Sequence, residues 1–198
     1  MCLKTFFYRT GHGQKVMGKG MGDCGMTVGE AFGISDILRD ASPSSRAEIM
    51  SFACIKRYEK GQHVFYDSEG LSCFYIILEG LASLYKLNTL GEKKVVFIYG
   101  PGKMLNEIMF QDLPVSINCE IRESAQVLVL SKERFWHVME RDPGLTRAAF
   151  DAMALRVRRL YRQMKNTTNA MKGEKRLAAK LYKLARDYGV MTDNGVLI

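Results

Sequence analysis

Residues 57–107 read RYEKGQHVFYDSEGLSCFYIILEGLASLYKLNTLGEKKVVFIYGPGKMLNE. Turn signals punctuate the stretch at Lys60-Gly61, Glu69-Gly70, Glu79-Gly80, Leu90-Gly91 and Gly100-Pro101-Gly102, one every 9–11 residues. Between them, CFYIILEG, LASLYKL and KKVVFIYG are rich in β-branched and aromatic side chains, which suit a pleated, half-buried surface. Short strands at this spacing predict an antiparallel sandwich or barrel, and SAQVLVLS at 124–131 supplies a late strand. The fold class is therefore mainly β with α, built on a small β-roll or jelly roll.

Upstream, residues 34–53 read as helical, with a Ser-Pro-Ser break before a short amphipathic turn. Residues 1–33 read as a flexible leader with eight glycines between Gly11 and Gly33. Its GKGMG run follows no strand and opens no clear helix, so it is not a dinucleotide fingerprint.

Downstream of Ser131 the hydrophobic period lengthens to that of a helix. Asp142-Pro143 is a helix start, because proline tolerates the first turn. Apolar or small residues then fall at Phe150, Met153, Val157, Leu160, Met164, Thr167 and Met171, alternating steps of three and four. That spacing is a coiled-coil seam of about three heptads. Such a stripe can pack on the β-body or pair with a second copy; its regularity and length favour a homodimer. Gly173 ends it, followed by the basic amphipathic segment EKRLAAKLYKLARDYG and a predicted strand, GVLI. The expected organisation is a leader (1–33), a β-roll domain with flanking helices (34–140), a dimerisation helix (141–172) and a basic C-terminal segment (173–198).

Charge divides along the same lines. Residues 1–140 carry 16 Lys+Arg against 16 Asp+Glu, whereas residues 141–198 carry 13 against 5 and hold the whole excess of +8. A neutral body with a basic arm points either to an anionic partner, nucleic acid above all, or to a solvated helix face. No run of eighteen apolar residues is present, and the apolar patch at Phe6-Phe7-Tyr8 is too short for a signal-peptide core, so a cytoplasmic protein with no membrane segment is expected. The five cysteines form no CxxC pair. Only His12, His63 and His137 are available as imidazole ligands, without shared spacing, and no serine elbow, P-loop or HExxH occurs. Neither an enzyme nor a metal or cofactor site is expected.

The glycine pattern of residues 57–107, followed by a long seam helix and a basic helix, resembles the CRP/FNR family of bacterial transcription regulators over roughly residues 44–198. The resemblance implies a cyclic-nucleotide-binding-type β-roll, a Tyr-Ile-Ile…Glu-Gly hairpin, a sensor turn carrying a glutamate, and a dimer helix leading to a winged-helix DNA reader. In cyclic-AMP-binding members the sensor turn reads Gly-Glu, with Arg-Ser about ten residues later. Here Asn106 and Glu107 stand at the first pair, and Ser116 and Ile117 at the second. Loss of the arginine removes a charge-assisted partner worth about 2–5 kcal/mol, so cyclic AMP is not the expected ligand.

Tyr161 and Arg162 fall where members of the family touch effector from the helix, and LYRQM is similar to members sensing halogenated phenols. The resemblance thus implies a phenolic or other organic-acid effector bound by Asn106, Glu107, Ser116, Tyr161 and Arg162. The alternative reading of Tyr161 and Arg162 is as surface and seam residues. The sequence stops at Ile198, before the family's recognition helix, which leaves residues 173–198 as a partial DNA-binding domain with weak DNA contact at most. Two readings follow: a truncated regulator, or a stand-alone effector-binding and dimerising module.

Overall fold

The structure, a computed structural model, describes residues 25–106, 110–168, 173–192 and 195–197. Three short helical pieces come first: α1 (Val28–Ile34), a 3-10 turn (Leu38–Asp40) and α2 (Pro43–Met50). Strands β1 (Cys54–Tyr58), β2 (His63–Phe65), β3 (Cys73–Leu87), β4 (Lys93–Tyr99) and β5 (Asn118–Ser131) follow. Helices α3 (Lys132–Arg141), α4 (Pro143–Thr168) and α5 (Gly173–Tyr188) lead to a small hairpin of β6 (Val190–Thr192) and β7 (Gly195–Leu197).

The five-stranded sheet runs β1-β5-β3-β4, with β2 also paired to β5, and every pairing is antiparallel. Two strands of 15 and 14 residues, β3 and β5, form its spine and bend around the core. Phe65, Phe74, Ile76, Ile77, Leu84 and Ile121 are fully buried between the arms. Helix α3 closes one end by placing Phe135, Val138 and Met139 inward, with Phe135 meeting Phe74 edge-to-face at 5.5 Å. This is the jelly-roll body that the turn spacing predicts.

Two local expectations change. The pair Glu79-Gly80 is not a hairpin turn. β3 runs straight through it, and the strand register against β5 slips on either side of Glu79. Gly80 has φ +82°, so its left-handed backbone makes a bulge rather than a reversal. The leader also becomes structured before residue 33. Thr27 caps α1 by accepting from the Glu30 amide while the Glu30 carboxylate takes the Thr27 N–H, and Ala31 and Phe32 enter the core. Residues 1–24 lie outside the described residues.

Candidate effector site

After β4 the chain turns at Gly100-Pro101-Gly102 and runs back along β3. The Gly102 amide donates to the Ile77 carbonyl, the Lys103 carbonyl accepts from Ile77, and the Leu105 amide donates to the Tyr75 carbonyl at 2.8 Å. Gly102 has φ +88°, and a Cβ there would lie 2.5 Å from the Ile34 carbonyl oxygen, so only glycine fits. These amides are engaged within the sheet and are not directed at a ligand.

Asn106 is fully buried, with its carbonyl accepting from the Tyr75 amide at 2.9 Å and its NH2 donating to the Cys73 carbonyl at 2.8 Å. It pins the turn after β4 to the start of β3. Glu107 lies outside the described residues. Ser116 is exposed, between the buried Val115 and Ile117. The next residue, Asn118, is buried and accepts from the Asp67 amide at 3.1 Å. Cations around this turn already face carboxylates: Lys103 pairs with Asp36, Lys132 with Asp112 and Arg122 with Glu120. Arg122 therefore does not stand in for the arginine absent at Ser116 and Ile117.

Helix α4 meets the roll along the face of Leu145, Ala149, Ala152, Arg156 and Gln163, residues that recur at helical spacing. Asp142 caps it, accepting from the Leu145 amide at 3.1 Å and, across to α2, from the Ser42 amide at 2.8 Å. The small side chains at 148, 149 and 152 let the helix approach closely. Farther along, Gln163 donates to the Val96 carbonyl at 2.7 Å, and Arg156 lies over the rings of Phe97 and Tyr99, 5.1 and 5.7 Å from their centroids. Tyr188, at the end of α5, donates its hydroxyl to the Ile98 carbonyl and packs on Gly100. Strand β4 is a sheet edge, so Gln163 and Tyr188 cap two of its outward carbonyls.

Tyr161 and Arg162 do not join this contact. Tyr161 is 67% exposed, and Arg162 is exposed beside it. Each residue turns the helix by about 100°, so one or two positions separate Gln163, on the roll, from side chains facing away. The residues that meet the roll are Arg156, Arg159 and Gln163. Sequence reasoning missed them because polar side chains interrupt what would otherwise read as an apolar stripe. The available signal was their spacing from Ala149 and Ala152. Of the seam, Phe150, Val157, Leu160 and Met164 are exposed, Met153 is half-buried, and Met171 lies outside the described residues.

Burial raises the Tyr99 hydroxyl's pKa against the opposing effect of Arg156 and Arg159, and burial lowers that of the Arg156 guanidinium. Among the described residues, no group of three His, Cys, Asp or Glu is placed to hold a metal ion, and no helix is long and apolar enough to cross a membrane.

The Tyr188 contact makes a prediction. Tyr188→Phe removes one hydrogen bond to the β4 edge and should cost about 1 kcal/mol of α5 docking. Amide hydrogen exchange across residues 177–188 should quicken several-fold while that of β3 is unchanged.

Residues 55–142 match the cyclic nucleotide-binding domain family. No curated protein matches the chain. Among solved structures, the catabolite activator protein of Thermus thermophilus superposes with a TM-score of 0.58 at 15% identity, covering 83% of this chain and 93% of that one. The sensor domain of the transcriptional regulator DNR from Pseudomonas aeruginosa gives 0.56 at 18% identity, covering 65% and 91%. The N-terminal domain of a transcriptional regulator from Streptomyces coelicolor gives 0.51 at 17%, covering 70% and 96%. At these identities the likeness is one of fold.

Proposed function

We propose that this chain is an effector-sensing regulator of the CRP/FNR type, because residues 55–142 match the cyclic nucleotide-binding domain family and the fold is shared with the sensor domain of such a regulator. It binds a small organic ligand other than cyclic AMP and passes the signal through α4 in a homodimer.

One observation carries this reading: α4 has two working faces. On one face Ala149 and Ala152 pack on the core, and Arg156 and Gln163 reach β4. The face of Phe150, Val157 and Leu160, about 100° around the helix, is apolar and exposed, with Phe150 63% and Val157 45% exposed. An uncovered apolar stripe at alternating steps of three and four is what a second copy of the same helix covers. A shift of the roll against the first face is then passed to the partner through the second.

The chemistry around Ser116 supports an effector other than a cyclic phosphate. No arginine occurs from 100 to 121, and Arg122 is bonded to Glu120 at 3.1 Å. A phenolic compound or other organic acid needs no such phosphate clamp. The basic excess of residues 141–198 supports a polyanionic partner, DNA, for the C-terminal arm.

Calorimetry against cyclic AMP and a panel of chlorinated phenols and aromatic acids tests the effector class. Saturable binding of a panel member is expected, with no cyclic-AMP binding at comparable concentrations. Sub-micromolar affinity for cyclic AMP would overturn the reading of Ser116.

A further inference from the structure

A cleft opens where residues 36–40, the turn after β4 and the first half of α4 meet. It encloses about 300 Å3, at the lower end of the range for small-molecule sites. Its floor is Tyr99, buried and stacked on Phe97 at 5.4 Å and 14°. Arg156 lies over both rings, and Arg159 borders the cleft one helical turn farther on. Ile37, Met104 and Leu155 supply apolar wall.

Charge in the cleft is mixed but not evenly spread. Arg39, Lys103, Arg156 and Arg159 border it together with Asp36, Asp40 and Asp151. Asp36 is engaged by Lys103 and lies 3.8 Å from Arg39, while Asp151 lies 4.0 Å from Arg147, outside the cleft. Asp36 and Asp151 thus each face a cation other than Arg156 and Arg159, and Arg156 lies against aromatic faces. Arg156 has lost much of its hydration and is oriented by the two rings, so an anion meeting it gains a charge-assisted contact at reduced desolvation cost.

We infer that this cleft binds a small aromatic acid, its ring against the exposed Leu155 side chain and its carboxylate or phenolate on Arg156 and Arg159. The assignment rests on the effector-sensing reading above and adds to it the place and charge of the ligand. None of Asn106, Ser116, Tyr161 or Arg162 lines the cleft, so it is a different location from the sensor turn. A ligand there touches the N-terminal segment, the roll and α4 together. Its occupancy therefore biases how α4 lies on β4, provided that the arrangements of the helix differ in affinity for it.

The test is an NMR titration of the full chain with benzoate, and with benzamide as the neutral isostere. Arg156→Gln, Arg159→Gln and Ser116→Ala are titrated alongside. Benzoate should saturate and shift the amides of Gly102, Ala148 and Ala152 in the wild type. Its affinity should fall about tenfold or more in either arginine variant and hold in Ser116→Ala. Benzamide should bind more weakly and not respond to the arginine changes. Should Arg156→Gln fail to fold, Arg159→Gln at the rim carries the comparison. Benzoate binding unchanged in the arginine variants, or matched by benzamide, overturns the cleft assignment. Benzoate lost only in Ser116→Ala overturns the cleft but leaves the effector reading standing. No saturable benzoate binding overturns the cleft assignment, and the wider calorimetric panel then decides the effector reading.

Discussion

Replacing Gly80 by alanine is expected to cost about 2–5 kcal/mol. Two terms add. Gly80 sits at φ +82°, where a Cβ crowds its own backbone at about 1–2 kcal/mol. The new Cβ would also lie 2.4 Å from the Ser124 carbonyl oxygen and 2.9 Å from the Ala125 Cα, both backbone atoms of β5. No rotamer relieves that overlap. Either β5 moves away or the bulge unwinds, and both break the longest strand pairing in the sheet. Gly91→Ala is the matched control. Its φ is +78°, but nothing lies within 4 Å of the added carbon, so it should show the conformational cost alone. Thermal unfolding should place Gly80→Ala on the order of 10 °C below wild type and clearly below Gly91→Ala. Equal melting temperatures for the two would remove the close approach of β3 to β5 from the account.

Loss of the Asp142 carboxylate should cost about 3 kcal/mol, because one buried side chain joins three helices. It ends α3, caps α4 through the Leu145 amide at 3.1 Å, and accepts from the Ser42 amide ahead of α2 at 2.8 Å. Asp142→Ala leaves those buried donors without an acceptor. Burial by itself raises the carboxyl's pKa, but hydrogen bonds from the Ser45 hydroxyl and the Ser42 and Leu145 amides outweigh it and hold the group well below the usual carboxylate range. The folded-state pKa is therefore depressed. Its contribution is fully present above the unfolded value of about 3.9 and is lost as pH falls below that value toward the folded one. Asp142→Asn, which retains one acceptor, should fall between wild type and alanine at neutral pH. Its deficit relative to wild type should shrink below about pH 4. A deficit independent of pH would mean that the charge contributes nothing.

The fold was legible where one residue type has one use. Gly61, Gly91 and Gly102 all adopt positive φ at turns, and the strands between them form as their β-branched and aromatic content predicts. Gly80 gives the same signal for a different structure. A positive-φ glycine serves a bulge as well as a turn, and only the partner strand decides between them. Helix α1 carried a visible mark, the Thr27…Glu30 capping box, but its two glycines and seven-residue length hid it within the leader.

The site was less legible because helix rotation decides it. The seam from Phe150 to Met164 is apolar and can be read from spacing alone. The contact with the roll uses Arg156 and Gln163, whose roles depend on the Phe97 and Tyr99 rings and on a carbonyl at the β4 edge, none of them local in sequence. Asn106 was expected to face a ligand. Its amide holds the turn to β3, a role that only the fold reveals.

We propose that α4 joins a ligand-sensing roll to a second copy of itself. Sedimentation equilibrium of the wild type and of Leu160→Glu tests it most directly, since Leu160 lies on the open face and not in the core. The wild type is expected at twice the 22.4 kDa chain mass, with Leu160→Glu shifted toward monomer by about tenfold or more in dissociation constant and its melting temperature little changed. A wild type that stays at 22.4 kDa across micromolar concentrations would contradict it.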